Sequence, residues 1–491
     1  MEAVLGVDIG TSSSKGTLVD LDGRIIAIAV REHSVSRPRP GWVEADPNSW
    51  WDEFCSISRE LSGGHDIVAV AVSGMGPCVS VADATGVALR PAILYGVDTR
   101  ATAEIAELER QLTAAKIMER CGSALSTQSA GPKIAWIRDN EPEVFIRARK
   151  FFMPSSWLAF HLTGEYILDH HSASQCTPLY DRESLEWYRP WADPIVGAIE
   201  LPRLVWADSI IGTVQSAAAN SAGLREGTPV VAGTIDAWAE AISVGAHEPG
   251  GLMLMYGTTM FLINTIVRPL RMPGLWGTVG AFEGSHNLAG GMATSGAITA
   301  WLRDLFGSPD YSELLARASE SPPGARGLLM LPYFAGERTP IPDPHARGVI
   351  AGLTIEHSRG DLYRSALEAT ALGVRHNVEA IRDAGGAIDR VTAVGGGAQS
   401  DVWMHIVSDV TGVDQQVPRT TVGASFGAAY LAATAVSSPE ITRWNPIERT
   451  IEANPDNAST YSGLFELYRE LYLRTAPIVH SLAARQHSTG R

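Results

Sequence analysis

Two carboxylates and two glycine–hydroxyl runs are the residues of this chain with the types and spacing to do chemistry on a phosphate. Asp8 closes an apolar run and is followed by Gly10-Thr11-Ser12-Ser13-Ser14-Lys15-Gly16. Such a turn can aim backbone N–H groups and hydroxyls at phosphate oxygens, with Lys15 adding charge and Asp8 able to hold a hydrated Mg²⁺. A polar hairpin turn with a solvent-exposed lysine fits the same residues. Asp236 follows the apolar run Val230 to Ala232 and Gly233, and about twenty residues further on stands Gly257-Thr258-Thr259. Neither run is a P-loop, since GK[ST] does not occur, and Ser14 spoils a nucleophile elbow.

The elements that must position these residues follow from apolar patterning. Val4 to Asp8, Thr17 to Asp20 and Arg24 to Val30 read as a β-meander, with Gly10 to Gly16 as its first turn. Val230 to Ala232 reads as a buried strand that delivers Asp236 into a loop or a first helical turn. Leu252 to Tyr256 reads as a strand running into Gly257. Gly290-Gly291 reads as a turn before a helix carrying Gly296 and Trp301. Asp361 to Asp383 is the longest helical pattern recognised. Val391 to Val394 leads into Gly395-Gly396-Gly397-Ala398-Gln399-Ser400 and a helix from Asp401. That helix N-terminus is approachable by a flat or anionic ligand, but Ser400 replaces the last glycine of a dinucleotide fingerprint. The small-residue segment Thr421 to Ala433 is expected to pack beneath that loop.

Three further clusters are polar. Met75-Gly76-Pro77-Cys78 follows a strand end. Asp98 and Arg100, two apart, suit a polyhydroxylated ligand, and a salt-bridged loop accounts for them equally well. Residues Asp169 to Asp181 read as a polar loop. Its His170-His171 pair is not taken as a metal site, because neighbours on an extended chain point to opposite sides and no third ligand is spaced to join them.

Length and composition limit the function classes. A chain of 491 residues is too long for one core and predicts two large domains. A formal charge of −15 argues against a nucleic-acid surface and an anionic membrane face. Four cysteines without metal spacing read as reduced thiols, no basic-then-apolar leader opens the sequence, and no run of 18 apolar residues spans a membrane. These features together predict a cytoplasmic enzyme.

The two strand–turn–strand loops, one opening each half, resemble the actin-like ATPase superfamily. The resemblance narrows to the FGGY family of carbohydrate kinases and covers nearly the whole chain. It is carried by Gly348-Val-Ile350-Ala-Gly352-Leu353 with Asp361-Leu362-Tyr-Arg-Ser365-Ala366-Leu367-Glu368, by Gly41-Trp42-Val-Glu44, and by Gly336-Glu337-Arg338-Thr-Pro340. The signature around Lys133 and Trp136 is partial, with Ala130 where Pro, Ser or Thr is usual.

What the resemblance implies is an α/β fold of two actin-like (ribonuclease H-like) domains, residues 1–245 and 246–491, with a nucleotide cleft between them. It implies ATP-dependent phosphorylation of a sugar or polyol, with Mg²⁺ at Asp8 and Asp236 as general base. Gly10, Thr11, Ser12, Lys15, Gly257, Thr258 and Thr259 would hold the phosphates. Gly296, Gly396, Gly397 and Ser400 would lie along the adenosine. The xylulokinase branch is nearest in pattern, yet Met75-Gly76-Pro77-Cys78 replaces its usual Gln-Met-His-Gly, and Ala237-Trp238 replaces the asparagine after the aspartate. A different ketose or polyol is therefore expected, with Trp238 stacking on its carbon face, Met75 and Gly76 beside it, and Asp98 or Arg100 contacting hydroxyls. A nucleotide-binding switch or a sugar sensor without turnover is the alternative, and a homodimer is left open.

Overall fold

The computed structural model describes residues 2–489. Two sheets dominate it, one from each half of the chain. The first has strands β1 (Glu2–Ile9), β2 (Ser13–Asp20), β3 (Ile25–Glu32), β4 (Asp66–Gly74), β5 (Ile210–Thr213) and β6 (Pro229–Ile235), in the order β5-β6-β4-β1-β2-β3. The second has β7 (Gly251–Tyr256), β8 (Met260–Ile266), β9 (Trp276–Val279), β10 (His286–Met292), β11 (Arg390–Val394), β12 (Gln415–Pro418) and β13 (Ile447–Ile451), in the order β9-β10-β8-β7-β11-β12-β13. Both repeat one plan. A leading strand turns back antiparallel on its successor and pairs in parallel with a strand reached through helices: β1 with β4, and β7 with β11. Parallel pairing puts both hairpin loops at the carboxyl ends of their sheets, where open α/β sheets present ligand sites.

The helices that matter are α1 (Pro47–Leu61), α2 (Ala130–Asn140), α3 (His170–Ser174), α4 (Asp236–Ser243), α5 (Gly296–Leu305), α6 (Arg359–Asp383), α7 (Asp401–Thr411), α8 (Ala424–Thr434) and α9 (Ala458–Thr489). α1 starts as its sequence dictates: Asp46 accepts the Asn48 N–H and Pro47 takes the first helical position.

Several expectations need correcting. The first turn is shorter than Gly10–Gly16, because the Gly10 N–H closes onto the Ser13 carbonyl and β2 begins at Ser13. Lys15 is thus a strand residue, directly across the ladder from Asp8. Gly290 and Gly291 lie within β10, where the neighbouring Phe261 and Asn377 side chains leave little room for a Cβ. The polar stretch from Asp169 is mostly buried, since its polar groups find partners inside: Asp169 caps α3 at Ser172 and receives the Thr234 hydroxyl. α9, at 32 residues, is longer than α6 at 25. Finally, α8 does not sit beneath the Gly395–Ser400 loop. It crosses to the first sheet and lies on β1 and α4, where a Cβ on Gly6 would come 2.1 Å from the Ser425 carbonyl oxygen.

Candidate active site

A cavity of about 540 Å³ opens where the two hairpin loops face each other, and Asp8, Asp236 and Thr259 all line it. Local backbone geometry puts the two aspartates there. Pairing of β6 with β4 slips by one residue between Val231 and Thr234, a bulge centred on Gly233. Gly233 has φ +71°, and a Cβ there would come 1.6 Å from the Val72 carbonyl oxygen, so only glycine fits. The bulge re-aims the end of β6, and Asp236 becomes the first residue of α4, its Oδ1 accepting the Ala237 N–H at 2.7 Å. Asp8 is held by the Ser73 hydroxyl, which donates to its Oδ1 at 2.8 Å.

A third carboxylate, Glu240, lines the same cavity one helical turn after Asp236. The sequence reading missed it, although the four-residue spacing put both acids on one helix face. All three carboxyls titrate high. Burial, then the charge of Asp236, pushes Asp8 up to about 7, against the pull of Ser73 and Lys15. Burial pushes Asp236 up to about 6, opposed by the Ala237 N–H. Burial and Asp236 push Glu240 up to about 7. Lys15 is, among the described residues, the one cation lining the cavity, and its Nζ donates to the Val422 carbonyl of the other half. Among the described residues no group of three or more His, Cys, Asp or Glu is arranged to hold a metal by itself. One or two carboxylates facing phosphates is how Mg²⁺ is ordinarily held, so the residues fit that ion.

The first hairpin loop is braced from behind. Ser14 donates to Glu53 of α1, His33 joins Glu53 Oε2 to the Gly10 carbonyl, and the Thr11 hydroxyl meets Tyr95 Oη at 2.8 Å. Ser12 faces the cavity. In the second loop the Gly257 and Thr258 carbonyls accept the N–H groups of Gly296 and Ala297, the first residues of α5, and Thr259 is the loop residue that lines the cavity. Gly296 approaches closely enough that a Cβ would come 2.7 Å from the Gly257 oxygen. Gly396 faces open space, Gly397 packs on Tyr256 and Trp403, and the Ser400 hydroxyl caps α7. Since Met255 pairs with Val394, both glycine loops leave the same sheet edge side by side.

The sugar-facing expectations fare unevenly. Gly76 lines the cavity, but Met75 is buried in the core of the first half, its N–H bound to the Ile9 carbonyl. Trp238 lines the cavity, yet its ring is stacked on His171 at 3.7 Å and its Nε1 donates to Asn287. Asp98 and Arg100 do not line it. Arg100 donates to Asp98 and Glu44 and lies against both the Trp42 and Trp136 rings, while Asp98 also accepts the Val43 N–H. Both side chains are within 1 % of full burial, so of the two readings the structure favours the salt-bridged loop. Arg100→Ala, which strands Asp98 as a buried charge while Glu44 keeps Arg90, is expected to cost about 3 kcal/mol in urea unfolding. Residues that the sequence does not single out as site candidates line the cavity instead: Tyr95, Gln128 and Gln175. The segment carrying Gln128 is clamped by buried Lys133 of α2, whose Nζ donates to the Thr127 and Ser129 carbonyls.

The N-terminal domain of the FGGY family of carbohydrate kinases matches residues 3–243, and its C-terminal domain matches residues 252–436. The chain belongs to this family. The xylulose kinase of Escherichia coli (strain K12) is 29% identical over 97% of this chain and 99% of that protein. The glycerol kinase of Alkalilimnicola ehrlichii is 31% identical over 89% of this chain and 90% of its own length. The crystal structure of xylulose kinase from Rhodospirillum rubrum superposes with a TM-score of 0.92 at 32% identity, covering 97% of this chain and 100% of that one. This FGGY kinase therefore has the family's two-domain α/β fold and is an ATP-dependent sugar kinase. None of these likenesses favours a switch or a sensor without turnover. No helix among the described residues is long and apolar enough to cross a membrane.

Proposed function

We propose that this kinase transfers the ATP γ-phosphoryl group to a hydroxyl of a neutral ketose or polyol, with Asp236 as the general base. The carrying observation is the placement of Asp236 at the head of α4, in the cavity that both hairpin loops border. Phosphoryl transfer asks mainly for positioning and charge neutralisation, so one buried carboxylate aimed at the acceptor hydroxyl suffices. Gly10, Thr11, Ser12 and Lys15 would hold the phosphates from one side, and the Gly257–Thr259 loop from the other. Gly296, Gly396, Gly397 and Ser400 would border the adenosine. Asp8 would hold Mg²⁺, which supplies neutralisation of the phosphate charge facing the three carboxyls.

A neutral acceptor follows from the lining. The end of the cavity around Tyr95, Gln128, Gln175 and Trp276 offers hydroxyl, amide and aromatic groups, and Lys15 on the phosphate side is the single lining cation among the described residues. A sugar acid would meet, among the described residues, three lining carboxyls and no lining cation but Lys15, with Arg338 acting on Tyr95 from outside the lining. The relatives named xylulose kinase make D-xylulose the first acceptor to test. Pro77 and Ala237 stand where hydrogen-bonding side chains, a histidine and an asparagine, are expected in that branch, which favours another ketose or polyol. The test is ADP release with a panel of ketoses, polyols and D-gluconate. D-Xylulose kcat/KM is expected below about 10⁴ M⁻¹s⁻¹, the low end for ordinary enzymes. Turnover of D-gluconate above every neutral acceptor would overturn the neutral reading.

The pH dependence has a definite sign. The base works only deprotonated, and burial holds the Asp236 carboxyl up to about 6. As pH falls, kcat/KM is expected to begin dropping as Asp8, pushed up to about 7, is protonated, and to drop more steeply than tenfold per pH unit below about 6 as Asp236 takes up its proton as well. Above pH ~7.5 the profile is expected to be flat. A flat profile down to pH ~5 would remove Asp236 as the base.

A further inference from the structure

His171 and Gln175 lie one helical turn apart at the end of α3, and neither belongs to the phosphate machinery. His171 is fully buried, with its Nδ1 2.8 Å from the Val279 carbonyl oxygen and its Nε2 3.4 Å from Gln175 Nε2. A carbonyl can only accept, so Nδ1 carries the proton. Burial drives the ring's pKa down to about 3, so the ring is neutral and Nε2 is an acceptor. The Gln175 amide must then donate its NH₂ to His171. Its orientation is fixed by that bond, and its Oε1, which no other described protein group engages, is the atom left for the cavity that Gln175 lines. On its face the imidazole is stacked against Trp238 at 3.7 Å and 28°, and Trp238 is tied to Asn287. The ring therefore cannot tip without breaking two hydrogen bonds and a stack.

We propose that Gln175 reads a hydroxyl of the acceptor sugar through its Oε1, held carbonyl-outward by the relay Val279–His171–Gln175. Gln175 is then a specificity residue and His171 its positioning residue, acting through Gln175 and touching no reacting atom. This gives Trp238 a different task from stacking on sugar carbons: it is the plate against which His171 is fixed. A fixed acceptor oxygen discriminates hydroxyls well, because an analogue lacking the hydroxyl leaves a buried carbonyl unpaired.

The assignment rests on the neutral-acceptor reading, and one experiment separates the two. ADP release is measured with D-xylulose, D-ribulose, xylitol, ribitol and glycerol for wild type, Gln175→Met, His171→Phe and the double variant. For the best of these acceptors, Gln175→Met is expected to raise the acceptor KM about 10- to 100-fold, with the ATP KM unchanged and kcat within about threefold. His171→Phe keeps a ring against Trp238 and should raise the acceptor KM by a comparable factor. The double variant should be no worse than Gln175→Met alone, because both changes remove one interaction. An unchanged acceptor KM in Gln175→Met would overturn the assignment whether or not His171→Phe folds. Penalties that multiply in the double variant would overturn the relay. No turnover of any of the five by wild type would overturn the neutral-acceptor reading, and this assignment with it.

Discussion

Asp236→Asn is expected to lower kcat by about 10³-fold while leaving nucleotide binding intact or tighter. The amide is nearly isosteric, and its Oδ1 can still accept the Ala237 N–H that caps the head of α4. What it cannot do is take a proton, and a positioned base typically contributes 10²–10⁴-fold. The same change relieves electrostatic repulsion. The charge of Asp236 is the second cause of the high Asp8 pKa, after burial, and likewise of the high Glu240 pKa. Removing it lets Asp8 ionise at lower pH and favours a cation beside it. Single-turnover kinetics together with calorimetric titration of MgATP check both halves. A kcat within tenfold of wild type would mean that Asp236 is not the base. A loss of MgATP affinity to match the loss of kcat would mean that it serves the nucleotide instead.

How much of this site the sequence discloses depends on whether a residue acts through the backbone near it or through partners far away. The hairpin loops were legible because glycine and hydroxyl runs between apolar strands constrain the backbone locally. Asp236 was legible for the same reason, lying after a strand and Gly233. The Gly233 bulge itself was not, because it exists only where β6 meets β4, about 160 residues earlier in the chain. Asp98 and Arg100 illustrate the opposite failure. Two charges in a loop suggest a ligand, but Trp42 and Glu44 from one segment and Trp136 from another satisfy them. His171 carries the same lesson. Its rejection as a metal ligand left it without a role, since Val279 and Trp238 become its neighbours only in the fold.

The placement of α8 was the largest misreading, and it sets up an expected result whose sign decides between two physical effects. Ala424 to Thr434 is almost all small residues, which says that the helix approaches something closely without saying what. The structure shows α8 wedged against β1 and α4: a Cβ on Gly427 would come 1.7 Å from the Ala239 carbonyl oxygen and 2.6 Å from its carbon. That obstacle is backbone, so no side chain can swing aside. α4 begins at Asp236, the segment entering α8 supplies the Val422 carbonyl bound by Lys15, and the first turn of α8 supplies the Ser425 hydroxyl that meets Thr17 at 2.7 Å. Gly427 thus sets the spacing between the helix carrying the base and the wall of the phosphate site. Helix propensity alone predicts that Gly427→Ala stabilises by about 1 kcal/mol. Close packing predicts the reverse, a loss of more than about 3 kcal/mol with kcat down about 100-fold as α4 is displaced. Gly463 in α9 is the internal control, since a Cβ there meets nothing within 4 Å. Gly463→Ala should raise stability by about 0.5–1 kcal/mol in the same urea series, with activity untouched. If Gly427→Ala behaves like Gly463→Ala, then α8 does not press on α4 in solution, and the coupling between its loop and the catalytic helix falls with it.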